Sequence, residues 1–458
     1  MVSQVALERD PYVAGFASFS RSRSGKEPAW VLDLRRKAIE RFEQIGFPTK
    51  RHEEWRYTDL SPLKSHRFLL VERVEQMPET AQLAAFSLGS AVAAQLVFID
   101  GHFIPSLSSS PTYPAGITVE PLRQALLMMA TDIGSLFGRL ADLENHAPAC
   151  LNTAYMQDGV VIHAARGRML QAPIHLLFLS TPARTPVASY PRVLVMAEES
   201  SRLALIETHA TLGGGDNSTS AAFSNSLSEL SIGDNAVLDY YKVVRHGASH
   251  FHTGSLYARL GRDARFQASS ITLGGALVRN DSSVILDGEG GSAELHGLYL
   301  AEGQQHVDNH TTIDHARPRG WSRQLYKGVL DGRSSAVFSG KILVRQDAQK
   351  TDAVQTSQNL LLSETAEANA KPQLEIYADD VKCTHGATVG QLDAEALFYL
   401  RSRGIDKETA RRILIHGYMS EVVALIAIET LRLQIESNIT ERIPQPSSTS
   451  ERGLVRQA

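Results

Sequence analysis

A chain of 458 residues has material for two or three structural units around a substantial core. Its 43% hydrophobic and 21% charged residues are ordinary globular usage, which excludes a wholly disordered, collagenous or fibrous protein. Forty-six Lys and Arg against fifty Asp and Glu leave a net charge of −4 without a long basic run, which argues against a dedicated nucleic-acid binder.

The start, MVSQVALERDPYVAGF, shows no basic stretch leading into an apolar core and a small-residue cleavage site. The most apolar later run, VVALIAIETL, falls far short of a membrane span, so no membrane association and a cytoplasmic location are expected. The next segment, residues 29–47, places Leu32, Leu34, Ala38, Ile39 and Phe42 near helical spacing before Gly46 and Pro48 turn the chain. RHEEWRYTDLSPL then packs charge around Trp55 and Tyr57, and its Thr58-Asp59 and Ser61-Pro62 pairs suggest short capped turns. Residues 1–95 therefore read as an N-terminal helical region.

Around Asp100 the pattern changes. LVFID-GHFI sets an Asp-Gly turn between two short apolar runs, a hairpin signal that opens a β-rich core over 96–390, with a helical insertion near 121–145. Inside this core IGDNAVLDY, LGRDARFQA, EGGSAELHG and PRGWSRQLY each place a Gly turn before an alternating strand. Their anchors Ala236, Ala264, Ala293 and Trp321 follow one another at steps of 28, 29 and 28 residues. Such a period marks stacked repeats, and short strands with Gly-rich corners and no repeated helix point to a mainly β fold built on a parallel β-helix. Residues 391–442 return to a helical pattern. Asp393 and Asp406 are N-caps, Gly404 ends the first helix, and an apolar stripe runs through Leu397, Leu400, Ile413, Leu414, Val422, Val423, Ile426 and Ile428. The Ser- and Pro-rich residues 443–458 read as a disordered tail.

Most motif signatures fail. Gly340-Lys341 is followed by Ile342, so no phosphate-binding loop is present, and Gly288-x-Gly290-x-x-Ala293 precedes the strand-like ELHGLYL rather than a helix. A nucleophile elbow and a His-Glu-x-x-His helix are absent from the sequence. The two cysteines, Cys150 and Cys383, cannot make a disulfide framework. His306, Asp308 and His310 alternate and would share one strand face. With His315 they define an alternative reading, a metal-dependent cytosolic β-helix enzyme. In ADDVKCTHGATVGQLD, Cys383 and His385 at i and i+2 would also share a face. A thiolate and an imidazole can hold iron or receive sulfur, Lys382 would favour the thiolate, and a partner would have to complete so small a ligand set.

At these residues the chain resembles the SufB/SufD family of the SUF iron–sulfur cluster assembly machinery. The likeness spans nearly the whole chain: RHEEWRYTDL, LVFIDGHF, VDNHTTIDHARPRGWSRQLYKGVLDGRSSAVFSGKILV, QKTDAVQTSQNLLLSETAEANAKPQLEIYADDVKCTHGATVGQLD and FYLRSRGI. SufB proteins usually carry His-Glu-Ala-Thr where this chain has His385-Gly386-Ala387-Thr388, which favours the SufD branch. The resemblance implies a right-handed parallel β-helix that pairs with SufB, C-terminal helices that dock the ATPase SufC, and a non-catalytic scaffold whose ATP hydrolysis lies in SufC. It further implies that His385 helps hold a nascent Fe–S cluster or iron at the SufB interface. Cys383 is its neighbouring helper, and the metal is transient rather than resident. Reduced flavin is linked to the family complex, although no flavin motif is present here, and a homodimer of the isolated chain is compatible with the family. A third reading is a structural adaptor that binds SufC and supplies no ligand.

Overall fold

The computed structural model describes residues 10–74, 77–109, 111–129, 133–182, 184–213 and 220–443. The tail expected to be disordered lies, from residue 444 on, outside the described residues.

The centre of the molecule is a parallel β-solenoid of about eight coils, each giving one strand to each of two sheets. The first complete coil is Gly159–Ala164 with Ile174–Ser180, and the last is Glu367–Ile376 with Lys382–Gly390. Alternation along each strand sends one set of side chains into the lumen. Leu238, Phe266, Leu295 and Phe338 are among those that fill it.

The four segments read as repeats stack on one sheet, with Val237, Arg265, Ser292 and Trp321 in register. Two anchors slide: Trp321 stands one position beyond the column of Ala236 and Ala264, and Ala293, which pairs with Phe266 and Ser322, two positions beyond it. Corners of unequal length cause the slip, because strand register is set by ladder pairing and lumen packing rather than by a fixed residue count.

At the N-terminal end the chain continues both sheets. Ala94–Ile99 pairs in parallel with Ile174–Ser180, and Ile117–Pro121 pairs antiparallel with Gly159–Ala164. The Asp-Gly hairpin forms as read, with Phe98 opposite Phe103 and with φ of 48° at Asp100 and 84° at Gly101, the left-handed pair that a tight primed turn requires. The Asp100 carboxylate accepts from the N–H and hydroxyl of Thr181 at 2.9 and 2.6 Å, which ties the turn to the first coil.

Helices cover both outer faces. Pro11–Arg23 and Ala29–Ile45 pack with Ala147–Tyr155 on one sheet, through Val13, Ile39, Phe42, Trp55, Tyr190 and Phe223. All nine residues of Ala147–Tyr155 are buried, so this helix carries no polar face to create a period. The helix Leu122–Met128 precedes it. Cys150 sits in this layer, and burial pushes its thiol up to about 12, an inert hydrophobe rather than a nucleophile.

On the other sheet lie Lys407–Val423 and Glu429–Arg442. The C-terminal caps are as read: Asp393 accepts from the N–H of Glu395 and Ala396, and Asp406 from that of Thr409. The stripe is not. Val422, Val423 and Ile426 are buried, but Ile413 is 46% exposed, while Ile415 and Met419 face the sheet. The chain breaks at Gly404 and again between Val423 and Glu429, so no single helical phase runs through residues 393–442.

The lumen also carries polar groups. The rings of His246 and His250 stack at 3.6 Å, and His209 hydrogen-bonds Glu207 at 2.6 Å, all fully or almost fully buried. Burial holds buried imidazoles neutral: His250 is pushed down to about 3, and His175, His296 and His315 to about 4. The unfolded chain protonates these groups near pH ~6.5, so their contribution to stability is complete above that pH and is lost as pH falls towards 4. A urea series from about pH 7.5 to 5 should show a falling midpoint, the four histidines together adding a slope approaching about four protons. A flat profile would contradict their burial as neutral groups.

Candidate functional site

The solenoid ends in an open coil. Among the described residues, Glu367–Ile376 pairs only with Ser335–Val344, and Lys382–Gly390 only with Asp352–Leu361. Lys382 N–H donates to the Thr351 carbonyl. The alternation of a parallel strand therefore turns the N–H groups of Cys383, His385, Ala387 and Val389 to the free edge. Nearly all of Lys382–Gly390 is exposed, and exposed Ile376, Tyr377 and Val389 leave apolar surface at the rim.

Cys383 and His385 share the lumen-side face of this last strand, in register with buried Ala353 and Gln355. The i, i+2 reading of the sequence thus places both correctly on one face, but their environments differ. His385 is exposed at the rim. Cys383 is half-buried against Ile342, Val344, Ala348 and Ala353. Burial pushes its thiol up, and Lys382 is not among the groups that act on it. The expectation of a lysine-stabilised thiolate is corrected here, because successive strand residues point to opposite faces. Gly386 has nothing within 4 Å of the position a Cβ would take, so packing within this chain does not require a glycine there.

Immediately beyond the strand, Ala394–Ser402 stands off the sheet. Phe398 is 73% and Tyr399 58% exposed, beside a groove of about 830 Å³ that Leu400, Ile413 and Leu414 also line. A second groove, of about 370 Å³, runs from Thr388 and Val389 to Leu414 and Tyr418. The open coil and the exposed helix are therefore contiguous.

The alternative metal group does not assemble. His306, Asp308 and His310 do share the outer face, but residues 51–60 cover it. Asp308 accepts from the Thr58 hydroxyl at 2.5 Å and Arg279 Nη1 at 2.7 Å, and lies 3.0 Å from His310 Nε2. His306 pairs with Thr58 and Ser335. His315 points the other way, into the lumen, and meets Ser322 at 2.9 Å. Among the described residues no group of three or more His, Cys, Asp or Glu could hold a metal ion.

What the sequence reading missed is the purpose of this face. Arg279 reaches Asp308, chelates Asp281 and lies 3.6 Å over the Trp55 ring. Burial would raise both carboxyls, yet Arg279, aided by His146 at Asp281 and by His310 at Asp308, holds them well below the usual carboxylate range. RHEEWRYTDL and VDNHTTIDH, read separately in the sequence, are two halves of one buried clasp between the N-terminal region and the solenoid.

Comparison with known proteins decides the family. A family model described as the SUF system FeS cluster assembly, SufBD core domain, matches residues 178–418, and one for the SufBD protein N-terminal region matches residues 8–176. The chain belongs to the SufBD family. An iron–sulfur cluster assembly SufBD family protein of Synechocystis is 34% identical to it over 92% of both chains. The iron–sulfur cluster assembly protein SufD of Escherichia coli is 32% identical over 89% of this chain and 92% of its own. The SufD of Bacillus subtilis is 26% identical over 93% and 96%. The core match of this SufBD protein takes in Cys383, His385 and the groove at Ile413. No helix among its described residues is long and apolar enough to cross a membrane.

Proposed function

We propose that this SufBD protein is a non-catalytic, cytoplasmic scaffold subunit that pairs with SufB through its open terminal coil. His385, with Cys383 in support, helps hold a transient iron–sulfur cluster or iron at that junction. The C-terminal helices dock the ATPase SufC. The observation that carries the reading is the open coil: the edge strand Lys382–Gly390, without a bulge or a proline and rimmed with apolar side chains, is a template for an added strand, while Glu367–Ile376 carries Pro372 and offers one donor fewer. A partner ending in a similar coil would cover them and bring its own ligands to His385, which alone is too few for a cluster. Its higher-pKa, half-buried thiol makes Cys383 the lesser contributor.

Exposed Phe398 and Tyr399 support SufC docking, as clustered apolar surface on a helix marks an interaction site. The groove that joins Val389 to Tyr418 gives ATP-driven movement of SufC a path to the coil. Reduced flavin belongs to this reading at the level of the complex, without an assigned residue. A homodimer of the isolated chain would use the same edge until SufB displaces it.

Anaerobic co-expression with SufB and SufC tests these points together. The wild type is expected to form the three-component complex, and His385→Ala to lower iron and sulfide per complex at least about tenfold. Phe398→Glu should release SufC while SufB stays bound, a cleaner probe than deleting residues 393–442, whose second half covers a sheet face. Unchanged cluster content in His385→Ala would leave the adaptor reading in its place.

A further inference from the structure

The lumen column that ends at His385 changes character near the open end. In register it runs Tyr240, Ala268, Leu295, Gln324, Gln355, His385, so apolar filling gives way to two carboxamides directly behind the exposed imidazole. Gln355 is fully buried, yet neither its Oε1 nor its Nε2 has a hydrogen-bond partner among the described residues. A leucine would fill such a position without the cost of two unmade bonds.

The amide has been given room. A Cβ on Gly340, on the opposite sheet, would lie 1.9 Å from Gln355 Nε2, so the carboxamide extends across the lumen towards a wall without a side chain. Gln324, one coil behind, accepts from Thr311 through Oε1, while its Nε2 and the Ser357 hydroxyl, two positions along the strand from Gln355, find no partner among the described residues. N–H and O–H groups free to donate suit an anion. Neighbouring strands are ~4.8 Å apart, so a group bound on the lumen side of His385 lies within reach of the Gln355 amide.

We infer that Gln355 forms the floor of the site at the open coil, donating its Nε2–H to an anionic sulfide or thiolate of the cargo held at His385. The inference rests on the role proposed for His385. Such N–H···S bonds hold the sulfur in place and tune the cluster's potential.

The test uses the full-length chain in its complex with SufB and SufC, loaded anaerobically with iron and sulfide, as wild type, Gln355→Leu, Gln355→Met and His385→Ala. Both Gln355 variants are expected to lower iron and acid-labile sulfide per complex about tenfold and to shift the sulfide-to-iron charge-transfer bands of what remains. The thermal midpoint of the isolated chain should be unchanged or higher, since a buried unpaired amide has been removed. If His385→Ala loses the cluster while both Gln355 variants keep the wild-type content and spectrum, the floor is refuted and the role of His385 stands. If His385→Ala keeps the cluster, that role falls and the floor with it. A lowered midpoint in both Gln355 variants, with or without cluster loss, also overturns the inference, because the amide would then be a structural group held by ordered water.

Discussion

Arg279→Ala is expected to cost about 3–5 kcal/mol of stability, the penalty for stranding buried charge. The Arg279 side chain and that of Asp308 are each 1% exposed, and Arg279 faces Asp281 and Asp308 together. Its removal leaves two carboxylates without their main cation, and the same substitution takes a guanidinium off the Trp55 ring and a donor from the Glu54 carbonyl. Because the clasp joins the N-terminal region to the solenoid, the damage should begin there. Guanidinium unfolding measures the loss, and limited proteolysis should cut residues 10–64 before the core. The double variant Arg279→Met, Asp308→Leu should recover part of the loss, as an apolar pair is cheaper than a lone buried charge. A single-variant cost under about 1 kcal/mol, the range of an exposed pair, would mean that water reaches the clasp.

Ala387→Pro is expected to weaken the proposed pairing with SufB about 10–100-fold, the cost of one lost and one stranded hydrogen-bonding group where the two chains would meet. The residue's N–H points to the free edge, so proline removes a donor the chain itself does not use. The residue before it is Gly386, which tolerates the restriction a proline places on its neighbour. The isolated variant should keep its thermal midpoint. Thr388→Pro is the control: its N–H points inward to Asp352–Leu361, so it should lose stability as well as pairing. Titration of SufB by each variant, with circular dichroism for folding, separates the two effects. Wild-type affinity for SufB in a folded Ala387→Pro chain would remove the edge-pairing basis of the proposed function.

The legible parts of the site were those encoded within a few residues. Cys383 and His385 are two positions apart, and strand alternation alone puts them on one face. Asp393 and Asp406 are caps because a short carboxylate before a helix satisfies its first N–H groups whatever lies around it. Ile413 falls on the wrong face because it lies nine residues from Val422 on one continuous helix, about half a turn out of phase with it. The Arg279 clasp and the Gln355 floor were hidden for a different reason: their partners are distant in sequence, Glu54 being 225 positions from Arg279 and Gln355 a whole coil from His385.

The sequence by itself determined a stacked β fold with helical ends, through a recurring strand and corner pattern that no other architecture buries as well. It also placed the Cys-Thr-His run on a strand. Tertiary structure alone decided that, among the described residues, this strand is the last one and its edge is free, and that the alternating His-Asp-His group is locked in a structural clasp. The physical reason is that burial and ladder pairing are properties of neighbours. A residue pattern specifies which face a side chain takes, but only the stacked coils decide whether that face meets another strand, a helix or an open edge.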